Sequence, residues 1–533
     1  MTHISRRNFV LSSASLIGAA KLDLPRVIDD SLIPARGSID DDLIEITISR
    51  LHALYAQRKY TVVQVTRWYL DRIARYDSTY RTIVHLDTAA ALKEAAAQDA
   101  SGRVRTRPRP LEGVPCVIKS NTSIKGLVTN SGWSGYVIPG KELVAPADAP
   151  VIAKLRAAGA IILGQTNMPD FAASDTTISS VYGRTGNAYN PDFSPGGSSG
   201  GSATAVSANF AMFATGTDTG NSIRQPSGVS SLAGVLPTRG STNISGIHPL
   251  DWSLDNVGPL ARTIEDAAIV LDVMRESSSP GGAFAAGLRR DALSGRRFGV
   301  PAFVLNDAAA DAPSEGARWV PLDPQTRIVF MRAVEELRRG GATVVIDEAL
   351  LPNAFLKLVH GVDTSHVRGE GLKAFLRDYG PALYHTPLEY ALTVGSPIPT
   401  YITGSAADAN LSVSDAVAAL SRQRSAAVAE YEAALTRHGL DGLVYPAVQT
   451  PSNDELIPLR SGRRSEGPHS ETGWVNVLGV PAVVVPAGFH PGGMPFGLEF
   501  SGRAGQDGAL LSWAYAFEQQ TKFRKPPALV RPG

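Results

Sequence analysis

The chain contains two loops rich in glycine and serine, Ser194-Pro-Gly-Gly-Ser-Ser-Gly-Gly-Ser202 and Gly216-Thr-Asp-Thr-Gly-Asn-Ser-Ile-Arg224. Between them, Ala203–Asn209 predicts a short helix and Phe210–Thr215 a strand. A helix followed by a strand would bring the backbone N–H groups of both loops close to one point. Either loop alone is weak evidence, because such segments are more often turns or flexible linkers.

A third segment, Pro115-Cys-Val-Ile-Lys119, ends an apolar strand predicted at Val114–Ile118 with a lysine. A lysine in this position usually extends to solvent. If it is buried instead, desolvation lowers its pKa, and a neutral lysine can activate a serine hydroxyl, which is a poor nucleophile by itself. The one cysteine of the chain, Cys116, lies in the same strand and is expected to be an inert core residue.

Together these segments resemble the amidase signature family, and the resemblance extends from about Ile44 to Gln519, weakest across 280–440. Further segments carry it: Gly164-Gln-Thr-Asn-Met-Pro-Asp-Phe171, Asp255-Asn-Val-Gly-Pro-Leu-Ala-Arg-Thr-Ile-Glu-Asp266, Asn476-Val-Leu-Gly-Val-Pro481, Pro486-Ala-Gly488 and Met494-Pro-Phe-Gly-Leu498. The resemblance implies an α/β fold with a large mixed central β-sheet covered by helices on both faces. It also implies hydrolysis of carboxylic amide bonds without a cofactor or metal.

The resemblance assigns roles by position. Ser222 matches the nucleophile of the family, Ser198 its bridging serine and Lys119 its base. It further implies that the Gly197–Ser198 peptide bond is cis. On this hypothesis Lys119 accepts a proton from Ser198, Ser198 accepts one from Ser222, and Ser222 forms an acyl-enzyme with the substrate.

The second loop is expected to supply the oxyanion hole through the backbone N–H groups of Thr219, Gly220, Asn221 and Ser222. Here the chain departs from the family, which usually has glycine where Asn221 stands. Asparagine enters left-handed backbone conformations more readily than most residues, so we expect the loop to keep its shape. The Asn221 side chain is expected to narrow the pocket or to contact the substrate.

Polar residues around the loops are expected to support them. Asp218 and Arg224 form an expected charge pair that fixes the second loop, with the alternative that Arg224 binds a substrate carboxylate. Ser199 and Thr217 are expected to donate or accept hydrogen bonds behind the reacting groups.

Other hydrolase and metal sites find less support. Gly196–Gly200 satisfies the G-x-S-x-G pattern of α/β-hydrolases, but the polar residues 187–195 before it do not predict the strand that this pattern requires. A Ser-His-Asp site would need a well-placed histidine, and three late candidates do not stand out: His438, His469 and His490. Two further histidines could suggest a metal, although H-E-x-x-H is absent: His360 and His366.

The N-terminal residues predict a targeting segment. Arg6 and Arg7 precede a short apolar stretch, Phe9–Ala20, that is too short and too polar to cross a bilayer. This pattern is typical of a twin-arginine export signal over residues 1–20, and it predicts a periplasmic or secreted protein. The alternative is a basic N-terminus on a cytoplasmic protein.

Composition and domain organisation complete the predictions. With 533 residues, 43% of them hydrophobic, and a net charge of +1, the chain is expected to bury a large core and not to bind nucleic acid. We predict a linker at 21–42 and one catalytic domain at 43–525, with irregular cap or insertion segments at about 280–325 and 352–470. No stable membrane insertion is expected, and a homodimer is compatible with the sequence.

The alternatives to amide hydrolysis use the same residues or none. The same three residues would also suit a carbamate or ester hydrolase, because these leaving groups need less protonation by the relay than an amine does. A non-catalytic binding protein or an ammonia-producing amidotransferase subunit is less favoured. The predicted export signal argues against the second of these, because the partners of such subunits are cytoplasmic.

Overall fold

The computed structural model describes residues 38–276, 282–305, 321–403, 413–463, 465 and 467–531. The predicted export signal and most of the predicted linker lie outside the described residues, so both stay predictions. The chain divides into two units, 1–44 and 45–533. The described part of the first unit is the short helix α1 (Ile39–Leu43), which Ser38 caps. Within the described residues, no helix is long and apolar enough to cross a membrane.

The second unit is built around an eleven-stranded sheet, and two further strands form a small hairpin. The sheet has the order β1-β3-β2-β6-β8-β7-β12-β13-β11-β9-β10, and β4 pairs with β5. The strands are β1 (Ile83–Leu86), β2 (Pro115–Lys119), β3 (Ile161–Thr166), β4 (Ile178–Ser179), β5 (Gly183–Arg184), β6 (Phe213–Asp218), β7 (Ala233–Leu236), β8 (Asn256–Ala261), β9 (Arg297–Val300), β10 (Thr343–Ile346), β11 (Gly442–Pro446), β12 (Ala482–Phe489) and β13 (Pro495–Ser501).

Parallel pairs lie in two places in this sheet. Strand β2 runs parallel to both β3 and β6, and β9 runs parallel to β10 and β11. The other pairs are antiparallel, including β6 with β8 and β12 with β13. A large mixed sheet is the architecture that the family resemblance implied, so the predicted fold class is confirmed.

Several helices of the second unit pack against this sheet, and others pack on those helices or on one another. They are α2 (Ile48–Ala56), α3 (Val62–Tyr80), α4 (Thr88–Ser101), α5 (Arg103–Thr106), α6 (Pro150–Ala157), α7 (Gly200–Ser207), α8 (Arg224–Val229), α9 (Ile264–Met274), α10 (Pro324–Arg339), α11 (Asn353–His360), α12 (Ser365–Tyr379), α13 (Pro387–Val394), α14 (Thr400–Thr403), α15 (Val413–Arg437), α16 (Leu456–Arg460), α17 (Trp474–Leu478) and α18 (Asp507–Thr521).

Local sequence explains several of these elements. Thr61 caps α3 by accepting a hydrogen bond from the N–H of Gln64, whose side chain in turn accepts one from the N–H of Thr61. The helix buries an apolar face and ends at Tyr80, and the C-terminal cap Arg81 has φ of 54°. Strand β2 is buried on both faces, which explains why its residues are apolar without alternation.

Part of the predicted irregular segment 352–470 is regular. It contains helices α11 to α14, the long helix α15 and strand β11 of the central sheet. The helix α12 has apolar residues at helical spacing, Leu372, Phe375 and Leu376, which pack in a cluster with Tyr136 and Phe171. The long helix α15 agrees with the helix that the sequence predicts at Ser414–Arg437. The sequence did not predict α11 to α14, because proline and glycine interrupt the periodicity of this segment.

Candidate active site

The site lies where parallel strands end at the same edge of the sheet. Lys119 is the last residue of β2, and Thr217 and Asp218 are the last residues of the neighbouring β6. Because the carboxyl ends of parallel neighbours meet at one edge, these side chains converge. The helix α7 begins at Gly200, earlier than predicted, so Ser198 and Ser199 stand at its N-terminal end.

Lys119 is fully buried, and its amine is surrounded by oxygen atoms. Its Nζ lies 2.7 Å from Ser198 Oγ, 2.9 Å from Ser199 Oγ, 2.9 Å from Thr217 Oγ1 and 3.4 Å from the Thr217 carbonyl oxygen. Burial lowers the pKa of Lys119 to about 7, and the more distant carboxylates of Asp218 and Asp255 offset only part of this effect. A substantial fraction of Lys119 is therefore a neutral amine at pH 7.

Two further hydrogen bonds hold the groups around this amine. Ser199 Oγ donates to the carbonyl oxygen of Thr217 at 3.2 Å, and Asn121 Nδ2 donates to Thr217 Oγ1 at 3.0 Å. The Lys119 Nζ can therefore donate hydrogen bonds to Ser199 Oγ and to Thr217 Oγ1. Asn121 lies two residues after Lys119, and nothing in the sequence indicated its role.

The Gly197–Ser198 peptide bond is cis, as the family resemblance implied. The N–H of Gly197 donates to Gln225 Oε1 at 2.9 Å. A Cβ atom at Gly197 would lie 2.5 Å from the carbonyl oxygen of Thr176, so only glycine fits at this position. Close packing of backbone therefore explains why the first loop is so rich in glycine.

Ser222 stands at the wall of a cavity with a volume of about 630 Å³. The N–H of Ser199 donates to the carbonyl oxygen of Ser222 at 3.2 Å, which joins the two loops directly. Within the described part of the chain, the Ser222 hydroxyl makes no hydrogen bond to Ser198 or to any other side chain. The cavity is lined by Ala172, Ala173, Ser174, Asp175, Thr219, Gly220, Asn221, Ser222, Leu250, Asp251, Leu254, Arg368, Ser465, Ser470 and Gly473.

The backbone N–H groups of Thr219, Gly220, Asn221 and Ser222 donate no hydrogen bond to any residue that the structure describes. All four residues line the cavity. Buried or half-buried N–H groups normally have partners, so four consecutive N–H groups without one are available to an oxygen atom in the cavity.

Asp218 and Arg224 form a fully buried ion pair behind this loop. The Arg224 guanidinium has an acceptor for each N–H: Asp218 Oδ2 at 3.1 Å, Asp218 Oδ1 at 3.2 Å, Thr472 O at 3.0 Å, Glu499 Oε1 at 2.7 Å, Gly220 O at 2.6 Å and Asn476 Oδ1 at 2.6 Å. Burial opposes the charge on Asp218, but the charge and hydrogen bonds of Arg224 outweigh it and lower the Asp218 pKa. This geometry leaves no N–H of Arg224 for a substrate carboxylate.

We expect Arg224→Ala to lower the free energy of unfolding by about 3–5 kcal/mol, because it leaves Asp218 charged and buried without its partner. Chemical denaturation monitored by circular dichroism measures this loss. Arg289→Ala is the matched control, because Arg289 forms an ion pair with Asp291 on the surface. The control should keep the wild-type midpoint, and an equal shift in both variants would contradict a special role for the buried pair.

Comparison with known proteins places the chain in a family. A model of the amidase family matches residues 64–511. The chain belongs to the amidase family.

Relatives of this amidase include proteins of more than one kind. A glutamyl-tRNA(Gln) amidotransferase subunit from Acinetobacter baumannii is 31% identical over 521 residues, covering 92% of this chain and 99% of that protein. The structure of native peptide amidase from Stenotrophomonas maltophilia superposes with a TM-score of 0.75 and 30% identity, covering 91% and 99%. An amidase family protein from Bacillus anthracis gives a TM-score of 0.74 at 25% identity, covering 92% and 94%. The chain is thus an enzyme that hydrolyses amide bonds.

Asn221 of this amidase differs from the expectation in one respect. The φ of Asn221 lies outside the left-handed region. The loop therefore does not use the left-handed conformation that asparagine was expected to adopt here. The Asn221 side chain lies at the cavity and its Nδ2 donates to Asp175 Oδ1 at 3.1 Å. This hydrogen bond ties the second loop to the segment 172–175 across the cavity wall.

Sequence reasoning missed Asp255 as a partner of the second loop. Its Oδ1 accepts a hydrogen bond of 2.5 Å from Thr219 Oγ1, and its Oδ2 accepts from the N–H groups of Leu250 and Asp251. Burial raises the pKa of Asp255 to about 6. Asp255 begins one of the quoted family segments, but nothing in that segment indicated that it would contact Thr219.

The described residues place the remaining candidates away from this chemistry. None of the three late histidines lines the cavity, and among the described residues no group of three His, Cys, Asp or Glu side chains could hold a metal ion. His469 contacts Glu471 and His490 contacts Thr326. Cys116 is buried, and burial raises the pKa of its thiol, so it stays a neutral core residue.

Proposed function

We propose that this amidase hydrolyses a carboxylic amide through an acyl-enzyme on Ser222, with Ser198 and Lys119 as its proton relay. The observation that supports this most directly is the fully buried Lys119 amine, 2.7 Å from Ser198 Oγ and with a pKa lowered to about 7. A base whose pKa lies near the working pH combines a large neutral fraction with useful basicity.

The hydrogen bonds around Lys119 support its role as the base. A neutral amine has two N–H groups and one lone pair. Ser199 Oγ and Thr217 Oγ1 accept the two N–H groups, which leaves the lone pair for the hydroxyl proton of Ser198. Ser199 and Thr217 thereby orient the amine, and Asn121 orients Thr217.

The second step of the relay is the transfer from Ser222 to Ser198. The hydrogen bond between Ser199 N–H and the Ser222 carbonyl oxygen keeps the two loops adjacent. Catalytic hydrogen bonds often tighten only in the substrate complex, so we place the contact between the two hydroxyls there. Ser222 then attacks the carbonyl carbon, the relay returns the proton to the leaving nitrogen, and water releases the acid from the acyl-enzyme with the same relay as base.

The unpaired N–H groups of Thr219, Gly220, Asn221 and Ser222 would hold the oxyanion that forms in this attack. One such donor is worth about 3 kcal/mol of transition-state stabilisation. The side-chain contacts of Thr219 with Asp255 and of Arg224 with the Gly220 carbonyl oxygen fix the loop before substrate binds. A loop held in this way needs no reorganisation during the reaction.

The experiment that tests the proposal is labelling with a fluorophosphonate, followed by mass spectrometry of the modified peptide. An activated Ser222 should be labelled, whereas a non-catalytic binding protein should not react. A screen of aryl anilides, short peptide amides, fatty amides, carbamates and esters then finds the substrate class. Hydrolysis of only carbamates or esters would favour the alternative hydrolase on the same residues.

The relatives named as amidotransferase subunits support a second candidate, in which this chain supplies ammonia within a complex. The two candidates make different predictions for the isolated chain. A self-sufficient amidase turns over small amides by itself and needs no added cofactor. Turnover that appears only with glutamine and added partner proteins would favour the second candidate.

The rate should rise with pH through an inflection near 7, because only neutral Lys119 can accept a proton and its folded-state pKa is about 7. Activity is therefore lost as pH falls below that value and is full above it. The profile of kcat/KM between pH 5 and 9 measures this. Asp255→Asn is the control, since Asp255 is the neighbouring group with a pKa of about 6. Loss of the Asp255 charge should move the inflection to lower pH, because that charge raises the Lys119 pKa. Disappearance of the inflection in this variant would assign it to Asp255 instead.

We also propose that the chain is exported, on the basis of Arg6 and Arg7 before a short apolar stretch. Fractionation of cells that express the full chain tests this. Replacing both arginines with lysine should keep the protein in the cytoplasm, and an unchanged distribution would contradict the proposal.

A further inference from the structure

Asn221 is the residue of the second loop that does not follow the family pattern, and it immediately precedes Ser222. It is half-buried and lines the same cavity as Ser222. A Cβ atom added at the neighbouring Gly220 would meet no atom within 4 Å, so the cavity is open on this side of the loop. A side chain at position 221 therefore changes what the cavity presents to a substrate.

The contact with Asp175 fixes the orientation of the Asn221 amide. An ionised carboxylate only accepts hydrogen bonds, so the amide group that faces Asp175 Oδ1 at 3.1 Å is the NH₂ of Asn221. The carbonyl oxygen Oδ1 accordingly points away from Asp175. Among the described residues, this oxygen accepts no hydrogen bond, which leaves an acceptor at the cavity wall.

The position of this acceptor relative to the reacting amide decides what it can recognise. In the proposed mechanism the substrate carbonyl oxygen binds the N–H groups of Thr219–Ser222, so the side of the amide next to that oxygen faces the loop. In a primary amide this side of the nitrogen carries an N–H group. In a trans secondary amide the same side carries the carbon substituent, because the N–H lies opposite the carbonyl oxygen.

We propose that Asn221 is a specificity-determining residue that selects unsubstituted carboxamides. Its Oδ1 accepts the N–H that lies beside the carbonyl oxygen of a primary amide. An N-substituted amide brings a carbon group to the same place, where it meets a polar oxygen and offers no donor. The inference rests on the proposed role of the Ser222 loop and adds to it the class of substrate, namely primary amides that release ammonia.

The test compares Asn221→Gly and Asn221→Ala with the wild type on two substrates. These are the primary amide hydrolysed fastest in the screen and the N-methyl amide of the same acid. The ratio of kcat/KM for the primary amide to that for the N-methyl amide should fall about tenfold in both variants, since a hydrogen bond is lost and space is gained. The alanine variant keeps a Cβ atom, so agreement between the two excludes a loosened glycine loop as the cause.

Ser470→Ala is the matched control, because it removes a polar group from another part of the same cavity wall. It should leave the ratio at the wild-type value. A ratio within about twofold of wild type in both Asn221 variants would overturn the inference. So would a screen in which N-substituted amides are hydrolysed and primary amides are not.

Fluorophosphonate labelling separates failure of this inference from failure of the proposed function. Labelling of Ser222 in wild type and in both variants, with an unchanged ratio, means that only the role of Asn221 is wrong. Absence of labelling in wild type, together with activity that survives Ser222→Ala, means that the proposed mechanism is wrong and the role of Asn221 with it.

Discussion

Replacing Ser222 with alanine should lower kcat/KM for amides at least about a thousandfold, because the proposed mechanism forms the acyl-enzyme on the Ser222 hydroxyl. The thermal midpoint should stay at the wild-type value. The Ser222 hydroxyl makes no hydrogen bond to any described residue, so alanine removes no hydrogen bond that the fold needs. Steady-state kinetics and a thermal melt of the same preparation measure both quantities.

Ser174→Ala is a suitable comparison, since Ser174 lines the same cavity and its hydroxyl contacts Thr176. This variant should keep most of the wild-type rate. If Ser222→Ala retained more than about a tenth of the wild-type rate, Ser222 could not be the nucleophile.

Replacing Lys119 with alanine should lower kcat/KM for amides by at least about a hundredfold, within the range that general acid–base catalysis contributes. Esters with good leaving groups should lose less, because an alkoxide needs less help from a proton donor than an amine does. Lys119→Met keeps most of the side-chain volume without a base, and it should behave in the same way. Rates on an amide and on an activated ester of the same acid measure the difference.

Lys154→Ala provides the comparison for this experiment, because Lys154 is half-buried and forms an ion pair with Glu276 outside the cavity. It should leave both rates near wild type. Equal losses on amide and ester in the Lys119 variants would contradict protonation of the leaving group by this relay.

The sequence predicted the components of the site because they lie in segments of unusual composition. The two Gly/Ser loops and the lysine that ends an apolar strand were each recognisable, and the family resemblance related them to one another. The N-terminal cap of α3 is local in the same way, because Thr61 stands directly before the helix and its partner Gln64 is three residues away.

Contacts between distant segments could not be predicted in this way. Asp175 accepts a hydrogen bond from Asn221, and Asp255 accepts one from Thr219. A single acidic residue in a polar segment gives no sequence pattern that would predict such a contact. The hydrogen bond from Asn121 to Thr217 could not be predicted for the same reason. Helices α11, α13 and α14 have eight residues or fewer, and α12 carries two glycines, so their periodicity is too weak to identify them before their packing partners are known.

The contacts of Arg224 bear on the point during synthesis at which the chain can become active. Two of the acceptors that hold its guanidinium, Asn476 and Glu499, lie 252 and 275 residues later in the chain. A nascent chain that has emerged from the ribosome only as far as position 450 already contains Lys119, Ser198 and Ser222, but it lacks both acceptors. We therefore expect no activity before Glu499 has been synthesised, and a chain truncated before Glu499 should be inactive.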